Sequence, residues 1–257
     1  MTRSEARSTT TEVTWRAEDV LEFGGVQFVT RPLARRFPST GDRFCLVKRP
    51  DLVSAYLDLI DDLRPATIVE LGVYQGGSCA LMALAADPDV LIGVELDHGP
   101  VPALDAFIAE RGLGERVHVH YGVDQADAST LRDVVGRHLG SGGLDLVIDD
   151  ASHLLGPSQI SFNTLFPYLR PGGVYIIEDW SWAHTTWLDP LPTETPLTRL
   201  VFDITMALPS RPGLIAELQI NRDWAVVVRG DAEVDASEFD VSACYSERGR
   251  ALLAAQA

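Results

Sequence analysis

The stretch TIVELGVYQGGSCALMALAADPDVLIGVELD, Thr67 to Asp97, decides the fold. TIVEL is a short apolar run, a glycine-containing turn follows it, GSCALMALAA has helical composition, and VLIGVEL is a second apolar run. Two buried strands with a helix between them predict a right-handed βαβ unit, because parallel neighbours need a crossover connection. Reading onward, the same alternation continues. A helix near Ala103 to Arg111 precedes the strand RVHVHYGV, and a helix near Ala128 to Leu139 precedes LDLVID. A helix near Ser158 to Leu169 then leads into GGVYIIED. The series predicts a parallel sheet, and in an open sheet of this kind ligands sit at the carboxyl ends of the strands.

After Leu197 the pattern changes. One helix, about Leu197 to Ala207, is followed by LIAELQI and WAVVVR, with only Asn221, Arg222 and Asp223 between them. So short a turn makes an antiparallel hairpin. Five parallel strands closed by a hairpin predict an α/β, Rossmann-like fold with the seven-stranded, mostly parallel sheet of class I methyltransferases and helices on both faces. On the amino-terminal side, VLEFGGVQFVT reads as a small hairpin turning at Gly24-Gly25. RPLARRFPSTGDRF reads as a flap carrying Arg31, Arg35, Arg36 and Arg43, and a helix is expected from Asp51, with Asp51 as its cap after Pro50. The organisation expected is an extension over 1–50, the main α/β domain over 51–230 and a tail over 231–257 containing a short helix.

Composition narrows the function. With 21 basic and 37 acidic side chains the net charge is −16, which repels nucleic acid and anionic membrane at long range. Neither is expected as a partner. Cys45, Cys79 and Cys244 are odd in number and stand in no CxxC spacing, so they read as small apolar residues of a protein in a reducing compartment. The amino terminus has no apolar run of signal-peptide type, and nowhere are there 18 consecutive apolar residues. A soluble cytoplasmic protein is expected.

Two groups of residues carry chemistry. In VELGVYQGGS, Gly72 permits a tight turn and close ligand approach, while Gly76 and Gly77 expose backbone N–H groups at a helix start. Tight packing is the competing reading, and the spacing is not that of a pyrophosphate-binding GxGxxG. GVELD ends the second strand with Glu95 and Asp97, where a carboxylate accepts hydrogen bonds from a ribose diol. Asp124 and Gln125 end the third, facing an adenine edge. The second group is acidic: Asp149 and Asp150 end the fourth strand, Glu178 and Asp179 the fifth. Four carboxylates in one crevice require large pKa shifts or a hard divalent cation, with Mg²⁺ the first choice. His153, one short turn after Asp150, is placed as a general base. The bland alternative is a set of solvated, helix-capping acids. His118 and His120 share one strand face as satisfied histidines, and the two-histidine, one-carboxylate set of a non-haem iron site is not evident. Trp180, Trp182 and Trp187 either wall a substrate pocket or pack ordinarily.

VELGVYQGGS, GVELD, VIDDASH and FPYLRPGGVYIIEDW, between Thr67 and Trp180, resemble the metal-dependent O-methyltransferases that modify antibiotic sugars, the macrocin and mycinamicin group. The resemblance implies S-adenosylmethionine and Mg²⁺ as cofactors. It also implies Asp150, Glu178 and Asp179 as metal ligands and His153 as the base. Glu70, Gly72, Gly76 and Ser78 would line the methionine part of the cofactor, Glu95 the ribose and Asp124 the adenine region. Asp149 is grouped with the cofactor side, a place at the metal remaining open. The expected activity is Mg²⁺-dependent methylation of a deoxysugar hydroxyl, on a nucleotide-activated sugar such as TDP-rhamnose or on a glycoside. The arginines of the flap favour the anionic diphosphate sugar. The alternatives are a catechol-type small-molecule O-methyltransferase and a non-catalytic protein that binds an adenosyl ligand for assembly. A homo-oligomer is expected. A nucleic-acid amino-methyltransferase commonly carries Asn/Asp-Pro-Pro-aromatic where this chain has IDDASH.

Overall fold

The structure, a computed structural model, describes residues 13–30, 37–139, 142–185, 195–246, 248–249 and 251. The chain divides into two compact units. The first comprises Met1–Arg64, Tyr74–Asp87 and Pro100–Glu115, and the second Pro65–Val73, Pro88–Gly99 and Arg116–Ala257.

In the first unit, β1 (Thr14–Ala17), β2 (Val20–Phe23) and β3 (Val26–Thr30) form an antiparallel meander, and β4 (Arg43–Leu46) runs parallel to β3. The hairpin expected around Gly24-Gly25 is β2–β3. Three helices accompany this sheet: α1 (Pro50–Leu63), α2 (Gly77–Ala85) and α3 (Pro102–Glu110). Their shared core holds Phe44 between Phe28 and Phe107, with ring centroids 6.0 and 5.7 Å away. Helix α1 begins one residue earlier than expected, and Asp51 is not its cap. Arg49 occupies that place, Pro50 supplies a preset φ at the first helical position, and Asp51 sits in the first turn. The Arg49 guanidinium bonds to it at 3.0 and 2.7 Å and holds its carboxyl below the usual range.

The second unit is built on the seven-stranded sheet. Its strands are β5 (Thr67–Leu71), β6 (Val90–Glu95), β7 (Val117–Tyr121), β8 (Leu144–Asp149), β9 (Leu169–Glu178), β10 (Ile215–Ile220) and β11 (Trp224–Arg229). They lie in the order β10-β11-β9-β8-β5-β6-β7. Strands β5 to β9 are parallel, and β11 pairs antiparallel with both β9 and β10. The sheet is therefore the one expected. All six residues of β8 are buried, as a central strand covered on both faces requires.

Helices α4 (Ala128–His138), α5 (Leu155–Leu165) and α6 (Thr198–Ser210) belong to this unit. Their apolar faces share one core with Leu71, Val94, Val147, Tyr175 and Ile177. Helix α5 starts three residues before the expected Ser158. Pro157 falls inside its first turn, where a missing N–H costs nothing, and Pro167 ends it in a 3₁₀ turn over Phe166–Tyr168. Of the tail, Asn163 accepts from the Val241 N–H at 3.0 Å and Phe239 stacks on Phe166 at 5.6 Å. Where a short helix is expected in the tail, a three-residue 3₁₀ turn spans Val241–Ala243. Among the described residues no helix is long and apolar enough to cross a membrane.

Gly72 shows why the first turn needs glycine. Its φ is +90°, and a Cβ there would lie 2.3 Å from the Asp150 carbonyl oxygen and 2.9 Å from the Ala151 Cα. One close approach at this glycine is thus made by the chain's own backbone after β8. Gly72→Ala combines a left-handed backbone with an unavoidable clash, and is expected to lose about 2–4 kcal/mol of stability in urea unfolding.

Candidate active site

Strands β8 and β9 are adjacent and parallel, with Asp149 level with Ile177, so the residues after both strands emerge at one end of the sheet. There Asp150, His153 and Asp179 each offer a ligand atom, and these atoms lie within 4.8 Å of one another. The His153 Nε2 is 3.9 Å from an Asp150 carboxylate oxygen, and its ring lies 4.2 Å from that of Trp182, tilted by 43°. His153 and Asp179 have φ of 55° and 53°, in the left-handed region that costs a non-glycine residue about 1–3 kcal/mol. Two strained residues in a three-residue cluster mean that the surroundings, not local preference, set this geometry. The Asp179 N–H donates to the Asp223 carbonyl at 2.8 Å, and the Trp182 N–H to the Asp179 carbonyl at 3.0 Å.

The four carboxylates expected to meet here do not all do so. Strand alternation turns Asp149 to the opposite face from the Asp150 cluster, into the core between β8, β9 and α5. Its side chain accepts from Ser161 Oγ at 2.9 Å and from Gln125 Nε2 at 3.1 and 3.3 Å. Tyr175 Oη lies 3.5 Å from it and 3.3 Å from Ser161 Oγ. Burial pushes the Asp149 carboxyl up, against the opposing effect of the Ser161 and Gln125 hydrogen bonds and the His153 charge. Glu178, only 2% exposed, is outside the three-residue group.

Gln125 also departs from the expectation. Rather than facing an adenine edge, it is 6% exposed and bonded inward to Asp149, while the neighbouring Asp124 is exposed and caps its own turn by accepting from the Ala126 N–H at 2.8 Å. This polar network has a readable signal in the sequence of α5. Ser158, Ser161 and Thr164 recur every third residue along α5, are 1%, 0% and 2% exposed, and put hydroxyls on a face that should be apolar.

On the cofactor side, Glu70 is fully buried within β5, two residues before Gly72. Glu95 ends β6 with one carboxylate oxygen accepting from the Val73 N–H and the other from the Asp97 N–H, both at 3.0 Å. These bonds fix the carboxylate between two strand-end turns. In the other unit, Gly76 caps α2 at φ +79°, with Leu104 Cβ 2.8 Å from where its own Cβ would be, and Ser78 lies in the first turn. Close packing against α3 is thus one reason for that glycine.

Of the three tryptophans, Trp182 covers His153, Trp180 donates from Nε1 to the Asn221 carbonyl at 2.8 Å, and Trp187 lies outside the described residues, as do Arg31, Arg35 and Arg36. Arg43 lies over the Phe37 ring at 4.8 Å. The strand histidines meet a third one: His120 Nε2 is 3.1 Å from His138 Nε2, and the His118 ring stacks on His138 at 4.1 Å. Burial first, then the positive neighbours, hold His120 and His138 below the ordinary 6.5; these neighbours are His118 and Arg137 for both, and each other's ring for His138. The unfolded chain therefore takes up protons first as pH falls, and stability falls with it below the ordinary pKa. Melting temperatures compared from about pH 7 to about pH 5.5 are expected to drop more in the parent protein than in His138→Gln.

Residues 69–180 match the model of a family described as a methyltransferase domain. The 8-demethyl-8-(2-methoxy-alpha-L-rhamnosyl)-tetracenomycin-C 3'-O-methyltransferase of Streptomyces olivaceus is 38% identical over 124 residues, 45% of this chain and 28% of that one. The mycinamicin VI 2''-O-methyltransferase of Micromonospora griseorubida is 48% identical over 56 residues, 22% of this chain and 13% of that one. The chain therefore spans under a third of the length of these relatives. Among solved structures, the mycinamycin-pathway methyltransferase in complex with Mg, SAH and mycinamycin VI superposes with a TM-score of 0.53 at 25% identity, covering 73% of this chain and 51% of that one. A putative caffeoyl-CoA O-methyltransferase from Staphylococcus aureus superposes at 0.54 with 16% identity, over 72% of this chain and 86% of that one, and shares the fold.

Proposed function

We propose that this chain, which has the class I methyltransferase fold with a methyltransferase domain matched over residues 69–180, is a Mg²⁺-dependent O-methyltransferase that methylates a deoxysugar hydroxyl from S-adenosylmethionine. The observation that carries the reading is the convergence of Asp150, His153 and Asp179 at the ends of adjacent parallel strands. Two carboxylates with an imidazole close by are donors suited to a hard divalent cation. The mycinamycin-pathway structure, similar over 73% of this chain, holds Mg and SAH, which supports the same cofactors here. Asp150 and Asp179 would hold the cation, Glu95 the ribose, and Asp124 the adenine side, with Gly72 at the turn beside them.

When bound, the cation makes an acceptor hydroxyl more acidic, and the sulfonium cofactor presents an electrophilic methyl group. The chain's own residues then do the positioning and the proton transfer. His153 Nε2 takes the hydroxyl proton, with an Asp150 carboxylate oxygen 3.9 Å from that nitrogen and Trp182 against the ring limiting its rotation. The relatives named above act by their names on a rhamnosyl tetracenomycin and a mycinamicin, which supports a sugar acceptor over a catechol.

The test is calorimetric titration of S-adenosylhomocysteine into metal-free protein, followed by Mg²⁺ with a rhamnosyl glycoside and, separately, with TDP-rhamnose. Cofactor binding followed by Mg²⁺-linked binding of either sugar is expected. Cofactor binding with no Mg²⁺-linked sugar signal would direct the acceptor search to aromatic diols, and absence of cofactor binding would overturn the reading.

A further inference from the structure

We infer that Gln125 is a positioning residue that ties the Asp150–His153 segment to the buried Asp149. The inference rests on the function proposed above for its consequence at the cation, but not for its structural content.

Its two amide ends have different partners. The Ser152 backbone N–H, which can only donate, lies 2.9 Å from one side-chain atom of Gln125, so that atom is the acceptor Oε1. The NH₂ then faces the Asp149 carboxylate at 3.1 and 3.3 Å, and Ser161 Oγ at 3.3 Å. Each end fits only one way round. Ser152 stands between Asp150 and His153, so this bond reaches the middle of the segment that supplies two of the three converging groups.

The segment is held at a second point as well. The Asp150 N–H donates to the Leu71 carbonyl at 3.0 Å, and the missing Cβ of Gly72 lets that backbone pass close by. Between that anchor and α5, which begins at Leu155, His153 must adopt its left-handed φ of 55°. A strained residue persists only where its surroundings over-determine it, and Gln125 supplies the restraint on Ser152, immediately before it. Asp149 acts at one remove: it turns away from the cation cluster and fixes the orientation of the glutamine that holds the segment. Partners of this outer kind typically change metal affinity or activity by 10–100-fold when removed.

The experiment compares Gln125→Leu with Ser161→Ala. Both remove a hydrogen bond to Asp149, but only the first removes the bond to Ser152. Amide hydrogen exchange over residues 150–154, measured without metal, is expected to be faster by roughly tenfold or more in Gln125→Leu and near the parent rate in Ser161→Ala. With S-adenosylhomocysteine present, Mg²⁺ affinity measured by calorimetry is expected to fall about tenfold in Gln125→Leu alone. Gln125→Glu with Asp149→Asn exchanges the carboxylate and amide between the two sites, keeps an acceptor for Ser152, and is expected to recover most of the protection. Unchanged exchange in Gln125→Leu, or equal acceleration in Ser161→Ala, would overturn the inference. Failure of the parent protein to bind Mg²⁺ would instead remove the proposed metal chemistry, with the exchange measurement still deciding the role of Gln125.

Discussion

His153→Ala is expected to lose methyl transfer by about 10²–10⁴-fold while binding S-adenosylhomocysteine normally, the range a positioned general base supplies. The loss should fall on kcat, since the imidazole is needed when the proton leaves rather than when ligands bind. The same cluster would also allow His153 to be a third ligand of the cation, because its ring nitrogen is as close as the carboxylates are. Metal affinity separates the two roles. A base leaves Mg²⁺ affinity within about threefold in the variant, whereas loss of a ligand weakens it by about tenfold or more. Calorimetry with Mg²⁺ and S-adenosylhomocysteine on the inactive variant gives the answer without turnover. A variant with parent-like kcat would remove His153 from the mechanism.

Asp150→Asn and Asp179→Asn are expected to abolish Mg²⁺-dependent turnover, each with a loss on the order of 10²-fold or more, and chelation of the parent protein should do the same. The physical reason is the crowding of two carboxylates within 4.8 Å of each other. In that arrangement the two carboxylates would bind a divalent cation jointly. The variants are therefore expected to fail to gain stability on adding Mg²⁺. The parent should gain it by mass action. Thermal unfolding with and without Mg²⁺ checks both statements, and Mg²⁺-stabilised melting in either variant would show that its carboxylate is not a ligand.

Most of the fold was legible because it rests on local, periodic signals. The apolar runs TIVEL, VLIGVEL and LDLVID, each followed by a helix, could only be buried parallel strands, and the short link Asn221–Asp223 could only close a hairpin. Element ends were less legible. Asp51 has the composition of a cap, but Pro50 sets the backbone one residue earlier; Pro157 resembles a boundary, yet a first turn tolerates it.

The candidate site divides in the same way. That acids end β8 and β9 follows from their order in the chain, and the strand alternation already implied that the two strands share an end. Which acids face one another does not follow, since Asp149 and Asp150 are chemically identical and differ only in the face the pleat gives them. The turn toward Ser161, Tyr175 and Gln125 depends on residues 12 to 26 positions away in the sequence, each brought there by packing. Short-range pattern and strand count suffice for the sheet and for the presence of carboxylates and a histidine at one of its edges, so these follow from the order of residues alone. That Asp150 and Asp179 meet His153, that Asp149 turns inward and that Gln125 holds the segment between them depends on which faces touch after the sheet has twisted and packed.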